Sequence, residues 1–237
     1  MSTAPRISPK PPESPAASVP PLVNGDRMTQ AEFHRRYLHY DEDEKFELIG
    51  GIVYVASPLS LFHSDYDDEI GYALGTYRRA TPGTQVLHNA TTILGEESEP
   101  QPDLGMRIRP EHGGQSADQD NYVAGPPELL VEIAHSGRAL AMHGKRADYQ
   151  RAGVREYLIL CWEEQQLHWF DFQSSASITP NRQGIYRSRV FPGLWIDGPA
   201  LLACDSARID AVLQQGLASR AHAAFVKRLQ KARRRHS

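Results

Sequence analysis

LLVEIA, residues 129–134, is the stretch that decides the fold, because it is a nearly continuous apolar run interrupted by one acid, Glu132. Apolar runs of this length are typical of a strand that is covered on both faces of a sheet. The segment 139–152 that follows has helical character and ends at Gly153, a residue suited to the position just after a helix. Two further strands are predicted by the strings REYLILCW (155–162) and QLHWFDF (166–172).

The segments around this centre predict a mixed α/β fold. FELIGGIVYVA (46–56) is rich in β-branched and aromatic residues and is broken by Gly50–Gly51, which predicts a two-stranded hairpin. Apolar residues recur at helical spacing within 62–79, and Thr29 with Glu32 forms a capping-box pattern that begins an earlier helix. We also predict strands at 84–88, 91–95, 103–109 and near 185–190, a polar loop at 110–127, and one or more helices over 199–232. This order indicates a mixed β-sheet flanked by helices rather than regular strand–helix alternation.

Composition and charge are those of an ordinary soluble globular protein. The 237 residues carry a net charge of −3, so that any contact with nucleic acid would need a local basic patch. Two cysteines without ligand spacing, and no apolar stretch of about 20 residues, indicate a cytoplasmic protein with reduced thiols and no membrane span. The proline-rich residues 1–27 are expected to be a disordered tail, residues 28–200 one α/β domain, and residues 201–237 a C-terminal helical extension with a basic end.

Two acids within these strands are candidates for chemistry. Glu132 has only apolar neighbours, and a glutamate is rarely buried without a cation, a hydrogen-bond network or a metal ion to compensate it. Asp103 follows Pro102 and opens the strand DLGMRI, so that the two acids could converge on one ion. Oxygen ligands of this kind suit Mg²⁺ or Mn²⁺. A salt bridge explains Glu132 equally well, and an aspartate such as Asp103 is more often a turn or cap residue.

Lys145 is the candidate cation beside these acids. It lies thirteen residues after Glu132 on the following helix, and Tyr149 lies one helical turn further on. A lysine here could neutralise charge on a scissile phosphate or orient an attacking water. A solvated helix charge is the ordinary role of a lysine, so its assignment depends on the three residues taken together.

Four strings in the right order, with fitting gaps, carry a resemblance to a known family: FELIGGIVYV (46–55), PQPDLGMRI (100–108), PELLVEIA (127–134) and KRADYQRAGVREYLIL (145–160). Together they resemble the Uma-type putative restriction endonuclease family of the PD-(D/E)XK nuclease superfamily. The resemblance extends from about Met28 to the strand near 190, and FPGLW (191–195) also fits. It implies a restriction-endonuclease-like core with a divalent metal ion at the sheet. The implied activity is that of a Mg²⁺-dependent endodeoxyribonuclease.

The resemblance also implies a site, position by position. Asp103 with the preceding proline matches the PD element and Glu132 matches the (D/E) element, and the implied metal ligands are Asp103, Glu132 and Ile133. The superfamily lysine two residues after the acid is replaced by Ala134, and Lys145 on the helix matches it instead. Glu47 matches a family acid ahead of the hairpin turn and joins the catalytic set. A strand residue paired with a lysine or arginine is an equal alternative for Glu47.

Two further positions bear on this resemblance. His63 matches a family histidine at the start of the second helix, where a packing role is the more common one. The family usually carries an aspartate four residues before the helix lysine, and that position is Ala141 in this chain. Lys145 therefore lacks a partner that would pair with it on its own helix face.

Three functions are compatible with the sequence. The first is an endonuclease with DNA as substrate, and the second is an inactive nuclease-fold module that binds DNA or a partner, which Ala141 and the acidic net charge favour. The third is a homodimeric scaffold, in which a sheet edge and the strand at 155–162 pair between subunits. The C-terminal basic run is a phosphate-contacting arm or, more often, a solvated helix end; it comprises Lys227, Arg228, Lys231, Arg233, Arg234 and Arg235.

Overall fold

A computed structural model describes residues 19–41, 44–56, 59–135 and 144–236. Most of the predicted N-terminal tail and the predicted start of the helix at 139 lie outside these residues, as does Ala141.

The N-terminal part of the fold is a hairpin packed on a short helix. The hairpin pairs β1 (Phe46–Ile49) with β2 (Ile52–Val55), and its turn is Gly50–Gly51. Both glycines have positive φ, +56° and +75°, which is the conformation that a two-residue hairpin turn requires. The predicted hairpin is therefore confirmed. The helix is α1 (Gln30–Tyr37), whose buried Phe33 packs against the hairpin.

Residues ahead of α1 also belong to this part of the fold. Leu22 is buried, and its N–H donates to the hydroxyl of Tyr40 at 2.6 Å. Arg27 forms a β-bridge with Ile52. Ordered contacts therefore begin within the predicted tail of residues 1–27, ahead of the predicted domain start at Met28.

The main sheet has six strands: β3 (Thr84–His88), β5 (Leu104–Ile108), β8 (Leu129–Ala134), β9 (Glu156–Cys161), β10 (Gln166–Asp171) and β11 (Ala176–Ser177). Their order across the sheet is β11–β10–β9–β8–β5–β3. The sheet is mixed, because β8 and β9 are parallel and the other neighbours are antiparallel. Every residue of β8 and β9 is buried, as their apolar sequences predict.

The position of β9 corrects one hypothesis. The homodimeric scaffold used the apolar strand at 155–162 as an edge that pairs between subunits. In the structure β9 is hydrogen-bonded to β8 on one side and to β10 on the other, so it has no free edge. The edges of the main sheet are β3 and the two-residue strand β11.

Helices cover both faces of this sheet. On one face α2 (Leu61–Ala80) buries Ile70, Leu74 and Tyr77 at the helical spacing that the sequence predicts. On the other face α3 (Arg146–Ala152) forms the crossover between the parallel strands β8 and β9, and its Tyr149 lies in a second apolar cluster. Gly153 ends α3 with φ of +95°, as predicted.

The segment predicted as a polar loop at 110–127 contains regular structure. It holds a short 3-10 turn (Pro110–His112) and the strands β6 (Ala117–Gln119) and β7 (Tyr122–Ala124). These strands form a three-stranded sheet with β4 (Thr92–Ile93). All three residues of β6 are exposed, so this strand has no apolar alternation for sequence reasoning to detect.

The C-terminal elements pack into the same core as the main sheet. Strands β12 (Ile185–Arg187) and β13 (Trp195–Asp197) pair with each other, and three helices follow: α4 (Gly198–Leu202), α5 (Ser206–Leu217) and α6 (Arg220–His236). Ile209, Leu213, Phe225 and Leu229 of the last two helices lie in one apolar cluster with the strands of the sheet. The segment 201–237, predicted as an extension, thus shares the core of the domain.

Among the described helices, none combines the length and the apolar character that crossing a membrane requires.

Candidate active site

Strand pairing brings Asp103 and Glu132 together. In the antiparallel pair of β5 and β8, Leu104 faces Val131, and continuing this register by one residue places Asp103 opposite Glu132. Residues that face each other across an antiparallel pair have side chains on the same side of the sheet. The N–H of Ile133 donates to Oδ2 of Asp103 at 2.7 Å, which holds the aspartate at the mouth of the strand.

Lys145 joins two of the predicted acids. Its Nζ donates to Oε1 of Glu47 at 2.8 Å and to the two oxygens of Glu132 at 3.0 and 3.1 Å. Lys145 and Glu132 are each only 6% exposed, so this ion pair is shielded from solvent. The salt bridges considered for Glu132 and Glu47 therefore exist, and their partner is the lysine of the candidate catalytic set.

Two further contacts fix the carboxylates of Glu132 and Glu47. The hydroxyl of Tyr149 donates to Oε1 of Glu132 at 2.8 Å. The main-chain N–H of Gln101 donates to Oε1 of Glu47 at 2.7 Å. The sequence alone indicates only that Tyr149 lies four residues after Lys145 on one helix, and this spacing allows both side chains to reach Glu132.

His63 is part of this site. Its Nε2 lies 3.1 Å from Oδ1 of Asp103, so that the two oxygens of Asp103 contact His63 and the Ile133 amide respectively. Hydrogen bonding to Asp103 raises the pKa of His63. A packing role is the more common one for a histidine at this position, but His63 contacts a carboxylate of the site. Ile133 contacts the site through its main chain, which is the only part of an isoleucine able to bind a metal ion.

The pKa values of Glu132 and Lys145 are shifted, because several ionisable groups are buried close together in this site. The pKa of Glu132 is raised to about 8, because burial, together with the neighbouring Asp103 and Glu47, outweighs the opposing effect of Lys145. The pKa of Lys145 is raised, because the attraction of Glu132 and Glu47 outweighs the effect of its burial. When all three carboxylates are ionised, as binding of a metal ion requires, they and the ammonium of Lys145 give a local charge of −3 + 1 = −2.

This charge and donor chemistry fit a divalent cation. Carboxylate oxygens are the ligands that Mg²⁺ and Mn²⁺ prefer, and a charge of +2 would neutralise the cluster. Within the part of the chain that the structure describes, no three His, Cys, Asp or Glu side chains are arranged as a ready-made metal site. In this arrangement Lys145 is hydrogen-bonded to Glu132 and Glu47, and Asp103 contacts His63.

The site opens into a cleft of about 530 Å³. It is lined by the site carboxylates, Lys145 and His63, and also by Leu59, His135 and Trp162. A polymer could therefore reach the carboxylates from solvent.

The C-terminal basic run lies away from this cleft. Helix α6 packs on the 3-10 turn that follows β5, where Nδ1 of His112 lies 3.1 Å from the carbonyl oxygen of Leu229. Asp103 and Arg109 flank the five residues of β5, and six steps of about 3.3 Å along the strand separate them by about 20 Å.

Comparisons with known proteins agree with this fold. The sequence profile of the Uma2 family, described as putative restriction endonuclease, matches residues 30–201. A crystal structure described as a putative nuclease belonging to DUF820, from Anabaena variabilis ATCC 29413, has a TM-score of 0.61 to this chain. The two are 14% identical, and the match covers 75% of this chain and 98% of that chain. This likeness confirms the predicted restriction-endonuclease-like α/β fold. No curated protein matches the chain significantly.

Proposed function

The chain belongs to the Uma2 family of putative restriction endonucleases, and from this premise we propose that it is a Mg²⁺- or Mn²⁺-dependent endonuclease that hydrolyses DNA phosphodiester bonds. The family is a nuclease family, which supports a nucleic-acid substrate. The observation that carries the metal-dependent chemistry is that Glu47, Asp103 and Glu132 line one open cleft, in which Lys145 pairs with Glu47 and Glu132.

Each residue of the cluster has a role in this proposal. Asp103 and Glu132, with the main-chain oxygen of Ile133, would hold the metal ion. When bound, such an ion lowers the pKa of a coordinated water and stabilises negative charge on the phosphate. In the hydrolysis a bond from water oxygen to phosphorus forms, a bond from phosphorus to a sugar oxygen breaks, and that oxygen receives a proton.

The remaining residues position the cluster. Lys145 presents an ammonium group beside Glu132, where positive charge stabilises the developing charge on a phosphate. Glu47 and Tyr149 hold Lys145 and Glu132 in place through direct hydrogen bonds. His63 keeps one oxygen of Asp103 oriented in the cleft, while the Ile133 amide holds the other.

A plasmid-nicking assay tests this function. With Mg²⁺ or Mn²⁺, the wild-type protein should convert supercoiled plasmid to open-circular and linear DNA, and EDTA should stop the reaction. Glu132→Gln should lower the rate at least about 100-fold, since it removes a charged group at the reacting centre. Glu97→Gln is the matched control, because Glu97 is exposed and paired with Arg151 outside the cleft. Equal nicking by the Glu132→Gln and Glu97→Gln proteins would refute the proposal.

The alternative is a nuclease fold that binds DNA without cleaving it. The favouring observation is that Lys145 already neutralises one charge of the cluster, and that the described residues hold no preformed three-ligand metal group. Ala141, the other argument for an inactive site, lies outside the described residues. Calorimetric titration with Mg²⁺ and Mn²⁺ separates the two functions. Metal binding that Glu132→Gln abolishes supports the enzyme, and no heat of binding at millimolar metal supports the inactive module.

A further inference from the structure

An exposed aromatic group stands at the mouth of the candidate active-site cleft. The ring of Phe62 stacks on the ring of Trp162, with centroids 5.1 Å apart and an angle of 25° between the planes. The ring of His135 packs edge-on against Trp162 at 4.3 Å. Trp162 and His135 line the cleft that contains the site carboxylates. We call Phe62, Trp162 and His135 the aromatic rim.

The aromatic rim and its neighbours expose apolar side chains to solvent. Phe62 is 58% exposed although one of its faces lies on Trp162, so its other face is open to solvent. The neighbouring Leu61 is 84% exposed, and Leu59 is also exposed. Apolar side chains grouped at the entrance of a cleft are typical of a binding surface.

Each residue of the aromatic rim is placed near the site by the course of the chain or by strand pairing. Phe62 directly precedes His63, which contacts Asp103. His135 follows Glu132 by three residues, which corresponds to about 10 Å along an extended chain. The Trp162 N–H donates to the carbonyl of Ala134 at 3.1 Å, so that main-chain pairing fixes the tryptophan beside His135. A strand of nucleic acid whose phosphate lies over the carboxylates would therefore place a base at the rim.

The charges of the cleft favour an unpaired strand over a duplex. Duplex DNA is bound mainly through cations that neutralise its phosphates. Among the described residues that line the cleft, the only Lys or Arg side chains are Lys45 and Lys145, and Lys145 is already paired with two carboxylates. Single strands are bound by a basic groove together with aromatic side chains on which the bases stack, and each stacked base strengthens binding roughly 5- to 100-fold. Stacking can therefore supply affinity that the few lysines of this cleft do not, and it is open only to unpaired bases.

We propose that Phe62, supported by Trp162, is a stacking platform for an unpaired base, and that the substrate of this site is single-stranded nucleic acid or a single-stranded segment of DNA. This inference rests on the proposed nuclease function and specifies its substrate class. The base stacks on the open face of Phe62, and the adjoining phosphate enters the cleft toward Glu132 and Asp103.

Fluorescence anisotropy tests the platform without cleavage. The full chain carrying Glu132→Gln is titrated, in Mg²⁺, into a fluorescein-labelled 20-nucleotide single strand and into the same oligonucleotide annealed to its complement. The single strand should bind more tightly than the duplex. Adding Phe62→Ala should weaken single-strand binding roughly 5- to 100-fold, which is the range for loss of one stacked base. Phe62→Tyr should restore the affinity, because a tyrosine ring also stacks.

Tyr72→Ala is the matched control, because Tyr72 is another exposed aromatic residue of α2 but contacts Asp210 of α5 instead of lining the cleft. Equal single-strand affinity in the Phe62→Ala and Tyr72→Ala proteins would overturn the platform, as would tighter binding of the duplex. A homodimer, seen by sedimentation, that Phe62→Ala dissociates without changing the DNA affinity would also overturn it and would identify a second copy as the occupant.

The same proteins separate this inference from the proposed function. If wild type nicks plasmid with Mg²⁺ but Phe62→Ala leaves single-strand binding unchanged, the platform is refuted and the endonuclease stands. If Phe62→Ala abolishes single-strand binding but wild type cleaves neither single-stranded nor duplex DNA with any metal, the endonuclease is refuted and the platform stands.

Discussion

Glu132 should destabilise the folded protein at alkaline pH when no metal is bound. Its pKa is about 8 in the folded state against an ordinary value of 4.5, because burial and neighbouring carboxylates disfavour its charged form. A raised carboxyl pKa means that the folded state loses stability as the pH rises from about 5 through 8. Glu132→Gln mimics the neutral acid, so in EDTA its melting temperature should exceed that of wild type at pH 8.5. The melting temperatures of the two proteins should converge at pH 5. Each kcal/mol corresponds to roughly 2–4 °C for a chain of this size.

Adding Mg²⁺ provides the control for that measurement. A bound divalent ion should raise the melting temperature of wild type at pH 8.5, since a ligand that binds the folded state stabilises it, and Glu132→Gln should not respond. A Glu132→Gln protein that melts below wild type at pH 8.5 in EDTA would contradict the prediction, because it would show that pairing with Lys145 outweighs the cost of burying the Glu132 charge.

Lys145 should be needed both for activity and for stability. Lys145→Met removes the ammonium that contacts Glu47 and Glu132 and leaves two carboxylates without their cation. Breaking a buried ion pair from one side typically lowers the free energy of unfolding by about 3–5 kcal/mol, measured here by urea denaturation in EDTA. Plasmid nicking should be lost. If Lys145→Met were as stable as wild type in EDTA, the lysine would not be the counter-ion of these acids.

A buried acid is not always part of a functional site. At the scale of single residues, an acid in an apolar strand is therefore not enough to identify the catalytic residues from the sequence. Glu156 also lies in an apolar strand and is fully buried, but its carboxylate accepts hydrogen bonds from the Ser188 hydroxyl, the Trp169 indole N–H and two main-chain N–H groups. Sequence patterns cannot distinguish it from Glu132. What distinguished Glu132 was its position in the family motif. Its contacts with Tyr149 and Lys145 depend on the placement of α3 and needed the structure.

At the scale of elements, two helical glycines should respond oppositely to the same substitution. A Cβ at Gly75 in α2 would meet only the flexible end of Arg79 at 3.7 Å, so Gly75→Ala should stabilise by about 0.5–1 kcal/mol. A Cβ at Gly216 in α5 would lie 2.2 Å from the carbonyl oxygen of Gly193. Gly216→Ala should therefore destabilise by about 1–3 kcal/mol, because α5 must move away from the loop at 191–195. Urea unfolding measures both. Changes of the same sign would contradict this packing.

The elements that could be predicted are those with a strong local signal. The Gly50–Gly51 turn and the apolar faces of α2 and β8 are fixed by local chemistry, and each was confirmed. The capping box was half right, since Thr29 accepts from the Glu32 N–H at 3.4 Å, whereas the Glu32 side chain pairs with Arg35 and Arg36. β6 was missed, because an exposed strand is stabilised by its neighbours and not by its own sequence.

At the scale of the whole molecule, α6 should be indispensable to the fold. It contributes Phe225 and Leu229 to the central core, and the buried His222 lies 2.9 Å from the hydroxyl of Thr81. Ending the chain at Ser219 would remove these groups, and loss of two large apolar side chains typically lowers the free energy of unfolding by about 5 kcal/mol or more. That is a large part of the stability of an ordinary domain, so the shortened protein should unfold at low urea or precipitate. Cooperative unfolding at the wild-type midpoint would show that α6 is a separate extension.

The basic end of α6 should be dispensable for cleavage even though the helix is needed for folding. Lys231, Arg234 and Arg235 are exposed and follow Leu229, which contacts the turn at the end of β5 that is about 20 Å from Asp103. Replacing all three with glutamate should leave the melting temperature close to that of wild type. The plasmid-nicking rate should stay within about twofold of wild type at 100 mM salt, where the Debye length is about 10 Å. If the reversal instead abolishes nicking and flattens its salt dependence, these cations contact phosphate, and the DNA path must extend from the cleft across the sheet to α6.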